Sequence, residues 1–572
     1  MRTSSRRRCI SGLLQTVHYT CNVPYITCRP NIASSGHEVT RATHLGSCAP
    51  RKVSPTMNRQ GPLLRAAIGC SALALVAGLA GCSNTSGGST TDGTFTFGAV
   101  AAPPTMNPAF GDPAYNPLYQ WAYESLVILE PDGSFSPGLA TEFGYTDTDN
   151  KVYEITLRDG VKFSDGSVLD GEALKTYLEY ERAQTSSAGL LLSSIDRIDV
   201  TSPMSVRLTL NRSDPGYDFY FAQAFGAGNI ASPDAVNNPD SLNAGSAGAG
   251  QYMIDTANTV ANDHYTFVPN PHYWNKDAVQ FDKVVVQIVP NASSMIQGIR
   301  AGQIQAGQGD ASSIRAAQDA GIEVVSAPQS LLGLNLMDRQ GEVSAPLADP
   351  RVRTALNKAV NRDAIAAGLF GDAELATAQY ALPGTSGHDD ALDENSAYDP
   401  EQAKQLLADA GYPDGFEVTA LSVPLSGLDK VVEAVAGDLS KVGVRVNVVT
   451  KPLANDYFVA MTSREFPTAA IGYGLHDANS LYTGFVGAQG PFNPFGSDDA
   501  ELTALYARYF STPEADAGDL EKQINARLVE LGWTIPVLAA PLAFYVADGY
   551  TGLEATTRNA AVPNFTDLRP SS

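Results

Sequence analysis

Cys82 is the residue best placed to do chemistry. It closes the run Leu79-Ala80-Gly81-Cys82 behind an apolar or small stretch from 66 to 80. A thiolate there can take a diacylglyceryl group, and the small residues before it admit a peptidase. Met57-Asn58-Arg59-Gln60 and Arg65 precede the stretch, so charged, apolar and small segments follow in the order of a secretory signal. The apolar run has about fifteen residues, short of the ~20 a spanning helix needs. Cys82 is therefore expected to be a lipid anchor (diacylglyceryl and palmitate), not a catalytic thiol. Each buried methylene contributes ~0.8 kcal/mol to membrane attachment, here to the outer face of the cytoplasmic membrane. The rival reading is a buried apolar helix that ends in a chance Gly-Cys.

Other chemistries find little support. The six cysteines lie at 9, 21, 28, 48, 70 and 82. Beyond Cys82 there is thus no thiol for a disulfide, a metal or a nucleophile. His264, His272, His388 and His476 are scattered, without metal-ligand spacing. Neither Gly-x-Ser-x-Gly nor a Walker loop occurs after Cys82. A glycosidase carboxylate pair has no sequence support. No enzyme activity, metal or cofactor is expected.

Residues 1–81 hold ten Lys+Arg and one acidic residue, which leaves 28 basic against 60 acidic residues after them, a net −32. Such a surface repels nucleic acid and anionic headgroups. It fits a monomeric body held near the bilayer by lipid alone. Residues 1–56 are Arg-rich and carry no periodicity, and we read Met57 as the start. A long targeting extension is the alternative.

The elements come next. Residues 83–91 are a Ser/Thr/Gly tether. Thr94 to Phe97 opens a strand, Val152 to Leu157 and Val206-Leu208-Leu210 alternate as half-buried strands, and Val161-Lys162-Phe163 reads as a short one. Asp170 should cap a helix running to about Arg182. Asp349-Pro350, Asn361 and Asp399-Pro400 each open a helix. Leu428 to Val442 stripes a fourth, and Leu520 to Leu531 another. Gly245 to Gly250 lacks dinucleotide-loop spacing and reads as a flexible interlobe turn.

Leu157-Arg158-Asp159-Gly160-Val161-Lys162-Phe163-Ser164-Asp165-Gly166 closely resembles the signature of the family 5 extracellular solute-binding proteins, the peptide/nickel-binding components of ABC importers. Pro137-Gly138-Leu139-Ala140, Gly248-Ala249-Gly250-Gln251-Tyr252, Pro269 to Trp274 and Asp349-Pro350-Arg351-Val352-Arg353 fit in the same order. The resemblance covers roughly residues 94–555. It implies an α/β, two-lobed periplasmic-binding-protein-like fold of the class II type, with a domain inserted in the first lobe. Lobe one would take 94–130, 249–328 and 536–572, the insert 131–248 and lobe two 329–535. Hinge strands would cross near Ser326–Leu334 and Trp533–Ala540. The implied role is capture of a ligand, a peptide above all, for a permease and ATPase. A small nickel chelator remains open as ligand, and a surface-tethered hydrolase or a peptide-sensing receptor as rival roles.

Related peptide binders anchor the ligand amine with an aspartate after a Gly-Trp strand end. Here that region reads Gly472-Tyr473-Gly474-Leu475-His476-Asp477, about two residues shorter and with Tyr for Trp. Asp477 is either the amine anchor or a loop Asp capping its own backbone. Tyr473 and His476 flank it. Asn335 could offer an amide to a peptide backbone or satisfy strand ends. Asn107 and Tyr119 sit on early loops of lobe one, as ligand contacts or as surface. Tyr273 and Trp274 read as core rather than pocket aromatics.

Overall fold

The computed structural model describes residues 93–571, save 475–476, 488–489 and 513–515. Cys82, the signal, the tether and His476 lie outside the described residues. What is described belongs to the unit Ser86–Ser572. Among the described residues no helix is long and apolar enough to cross a membrane.

The local code is followed closely. Val152–Leu157 buries Tyr153, Ile155 and Leu157 and turns the residues between them outward. Asp170 accepts the Ala173 amide at 2.9 Å and starts Gly171–Arg182. Asp349 caps Pro350–Lys358, Asn361 caps Arg362–Phe370 and Asp399 caps Pro400–Asp409. Val431, Val432, Val435 and Leu439 form the buried face of Leu428–Ser440.

A ten-stranded mixed sheet organises the fold. Its order is Arg445–Thr450, Glu417–Ser422, Thr468–Gly474, Glu323–Leu336, Thr534–Val546, Ala306–Gly309, Thr94–Ala99, Lys283–Ile288, His264–Pro269 and Tyr252–Ile254. The two long central strands run antiparallel from Glu323↔Val546 to Asn335↔Thr534. Beyond Ser330 the first of them also pairs with Thr468–Gly474, while Ala543 to Val546 of the second pairs with Ala306–Gly309. One pair of strands thus serves two lobes. Where the lobes change over, Pro328 faces Pro541 and the register shifts. Neither proline has an N–H to donate, so the ladder is weakest at the crossing.

Each lobe has its own core. Leu331, Leu334, Val352, Leu356, Val435, Ile471 and Val537 belong to one. Phe95, Phe97, Trp121, Phe544 and Phe565 belong to the other. A four-stranded antiparallel sheet (Ala140–Tyr145, Val152–Leu157, Ser205–Leu210, Ile195–Ser202) sends Tyr153, Ile155, Val206 and Leu208 into that second core. This four-stranded sheet therefore shares the apolar interior of that lobe.

Two local expectations are corrected. Val161 to Phe163 forms no strand; Lys162 makes only an isolated bridge to Val168, because three residues between two tight turns leave no length for a ladder. Gly245 to Gly250 is not an interlobe turn. Ala247 and Ala249 are buried, and the Gly250 amide donates to the Ala122 carbonyl at 3.1 Å. A Cβ at Gly250 would lie 2.5 Å from the Ala122 carbonyl carbon. The glycines there allow close approach rather than motion.

Candidate functional site

The segment after Thr468–Gly474 enters the boundary between the lobes. Tyr473 packs edge-on against Phe485 and Phe492, with ring centroids 5.7 and 5.3 Å away. Asp477 caps the short helix Ala478–Leu481. Its Oδ1 accepts the Ser480 amide at 2.8 Å and the Ser480 hydroxyl at 2.5 Å. Among the described residues, those are the hydrogen bonds this carboxylate receives, and Oδ2 takes none.

Glu521 stands beside it. Leu520, Glu521, Ile524, Asn525 and Leu528 are the buried face of Gly518–Leu531. Glu521 Oε1 accepts the Ala478 amide at 3.2 Å, and Oε2 accepts the Ser386 hydroxyl. Asn525 fixes the facing loop: its Oδ1 takes the Tyr380 and Ala381 amides at 3.1 and 3.2 Å, and its Nδ2 donates to Gly387 O at 3.0 Å. Asp477 and Glu521 then line one small cavity with Ala381, Thr385, Gly387, Ala478 and Leu481. Burial raises the Asp477 carboxyl above its ordinary value. Burial first, and then the Asp477 charge, pushes Glu521 up to about 7.

The first lobe answers with a third carboxylate. Asp214, 5 % exposed, accepts the Ser194 hydroxyl at 2.7 Å and the Tyr220 hydroxyl at 3.1 Å. Tyr220 in turn accepts Asn479 Nδ2 at 2.9 Å across the lobe boundary. Burial raises Asp214 as well, and its charge is felt at Asp477. Ser213 Oγ adds a cross-lobe bond to the Phe510 carbonyl at 2.7 Å. The lobes are closed on each other, with an acceptor-rich, electronegative zone between them. Among the described residues no group of three His, Cys, Asp or Glu is arranged to hold a metal.

The other sequence candidates are dispersed. Asn107 accepts the Ala109 amide and donates to the Tyr180 hydroxyl. Tyr119 donates to the Thr105 carbonyl at 2.7 Å and is 1 % exposed. Asn335 is fully buried, donating to Phe492 O and accepting from Arg339. Each of the three has internal hydrogen-bond partners, and Asp477 is not among them. Tyr273 is buried, whereas Trp274 is not core: it is 38 % exposed, donates to Glu124 at 2.9 Å and lies under Arg158. Its indole N–H and its face take charged partners, Glu124 and Arg158, that an apolar interior does not supply. Glu521, Asp214, Tyr220 and Asn479 were not singled out from the sequence. Only Glu521 carries a local signal, a carboxylate on the apolar stripe of its helix.

Two α/β lobes joined by two shared strands, with polar groups gathered where they close, define a periplasmic-binding-protein-like protein. Comparison with solved structures agrees. The chain matches AgaA of A. tumefaciens R10 in complex with agropinic acid (TM-score 0.67, 22 % identity, 84 % of this chain and 99 % of that one). It also matches DppA of Helicobacter pylori in complex with peptide STSA (TM-score 0.67, 20 % identity, 84 % and 98 %) and HbpA2 of Haemophilus parasuis (TM-score 0.71, 20 % identity, 84 % and 100 %). In sequence, residues 134–492 match the bacterial extracellular solute-binding proteins, family 5. The chain belongs to that family. Among its relatives are a glutathione-binding protein GsiB of Salmonella paratyphi A, 28 % identical over 57 % of this chain and 63 % of that one, and heme-binding protein A of Haemophilus influenzae, 27 % identical over 67 % and 75 %. The alignment thus spans under two thirds of the first relative's length.

Proposed function

We propose that this protein is the lipid-anchored capture subunit of an ABC importer, taking a peptide between its lobes and presenting it to a permease served by an ATPase. The observation that carries the ligand site is Asp477, a carboxylate at the lobe boundary whose Oδ2 receives no hydrogen bond from the described residues. A peptide enclosed there needs its amine and backbone satisfied once water leaves, and a carboxylate with a spare oxygen suits the amine. Relatives that bind glutathione, and the DppA–peptide complex, support a peptide ligand. Capture and closure require no bond to be made or broken in the ligand. Lobe one at 94–130, 249–328 and 536–572, an insert at 131–248 and lobe two at 329–535 remain our division of the chain, with lipid on Cys82 and a monomeric body.

Native mass spectrometry of the full-length protein purified from a peptide-rich host tests the reading. A ladder of bound masses that resolves into short peptides is the expected result. Asp477→Asn should then weaken rebinding of one such peptide by about tenfold or more, the worth of a charge-assisted hydrogen bond. A single discrete non-peptide mass would overturn the peptide assignment and keep the capture role.

A further inference from the structure

At the end of Thr468–Gly474 that lies away from Asp477, lobe two carries a groove of about 380 Å³. That volume falls within the roughly 300–1,000 Å³ of small-molecule sites. The strand puts roughly 23 Å between the groove and Asp477, at about 3.3 Å per residue. Ser344 and Pro346 come from one loop, Glu465 and Pro467 from another. Thr419 and Asn447 come from two neighbouring strands, opposite each other in the register.

Both loops are held in place. Asp338 accepts the amides of Glu342, Val343 and Ser344 at 2.7–2.8 Å, and Arg464 donates two bonds of 2.8 Å to Glu342. Ser344 supplies a separate observation. It is 8 % exposed, lines the groove, and its hydroxyl has no hydrogen-bond partner among the described residues. It precedes the turn Ala345–Ala348 without capping it through its side chain, so the local structure does not use that hydroxyl. A buried, unpaired hydroxyl is costly. A ligand hydroxyl against this wall removes the cost.

We propose that this groove binds a saccharide of one or two rings, at a site separate from the lobe boundary. The donors and acceptors of the wall decide the class. Glu417, which also lines the groove, is paired with Arg445. Glu465 is then the lining carboxylate with no ion pair among the described residues. An anion would be repelled by it. An ammonium only donates: it would serve Glu465 and leave the Asn447 amide N–H groups unanswered. A sugar hydroxyl both donates and accepts, and so suits the carboxylate, the amide and the two hydroxyls alike. Pro346 and Pro467 give the C–H face of a ring an apolar surface to lie on. The assignment goes beyond solute capture and does not depend on it.

Ligand-observed NMR titration of the full-length protein tests the site, with glucose, N-acetylglucosamine, maltose and spermidine as probes. At least one of the sugars should bind, and spermidine should not. Asn447→Ala should weaken that sugar by about fivefold, the worth of a neutral hydrogen bond, and Glu465→Gln by about tenfold. Ser344→Ala should also weaken it, yet leave the melting temperature unchanged or raised, since the native hydroxyl has no partner to lose. Glu401→Gln, in an exposed pair with Lys404, should change neither quantity. Saturating trialanine should not displace the sugar. Displacement by trialanine, or full affinity in folded Asn447→Ala and Glu465→Gln proteins, overturns the groove site and leaves the capture reading standing. So does a Ser344→Ala protein that binds the sugar unchanged and melts several degrees lower, the mark of a purely structural serine. Spermidine bound in preference to every sugar, or no sugar bound at all, overturns the saccharide assignment.

Discussion

At the scale of single residues, the buried carboxylates set how stability depends on pH. Glu521 and Glu124 are each pushed up to about 7 from an ordinary 4.5, chiefly by burial. In such a case the folded state holds more protons than the unfolded one between the two values. The stability they confer is complete below about pH 4.5 and is lost as pH rises through about 7. The unliganded protein should therefore melt at lower temperature at pH 7.5 than at pH 5. Each group accounts for on the order of 1–3 kcal/mol, and differential scanning calorimetry of Glu521→Gln should show its share of the slope removed. A flat profile would mean that the carboxylates are better solvated than the structure has them.

At the scale of elements, caps and close approaches carry the order. Asp170 starts Gly171–Arg182 through the Ala173 amide, and Asp170→Ala should cost about 1 kcal/mol in urea unfolding, the usual worth of an N-cap. Gly250 is more demanding. An added methyl meets the Ala122 carbonyl carbon at 2.5 Å and its oxygen at 2.7 Å, and backbone cannot swing aside as a side chain can. Gly250→Ala should destabilise by about 2–4 kcal/mol through overpacking, with a melting temperature several degrees lower. A neutral result would show that the Ala122–Tyr123 turn can yield.

At the scale of the whole molecule, closure is held by few bonds. Asn479 to Tyr220 and Ser213 to Phe510 are the shorter ones across the boundary, at about 1 kcal/mol each, beside longer ones from Asn150 to Phe510 and from Arg558 to Gly384. Removing both by Tyr220→Phe with Ser213→Ala should shift the closed-to-open ratio by about tenfold or more. Small-angle scattering should then report a larger radius of gyration without ligand, while Arg197→Ala, which breaks an exposed pair with Asp199, leaves it unchanged. The opposed Pro328 and Pro541 put the flexing where the ladder has no N–H to lose.

Much of this protein is legible in its residues taken in order. Asp170, Asp349, Asn361 and Asp399 announce their helices because a cap is a contact between residues two or three apart. Val152–Leu157 and Leu428–Ser440 follow from periodicity, and the Arg158-to-Gly166 signature points to the family. The glycines of 245–250 show the limit of that logic, since flexibility and close approach have the same composition and only the neighbour at Ala122 separates them. The site lies beyond it too. Asp214, Ser386, Asp477 and Glu521 come from four segments. Their carboxyls are raised by burial, which at Asp214 outweighs the nearby Arg212, and burial is a property of the closed three-dimensional neighbourhood. Order along the chain determined the caps, the apolar stripes and the family; only the tertiary structure decided which carboxylates meet, because desolvation acts through space.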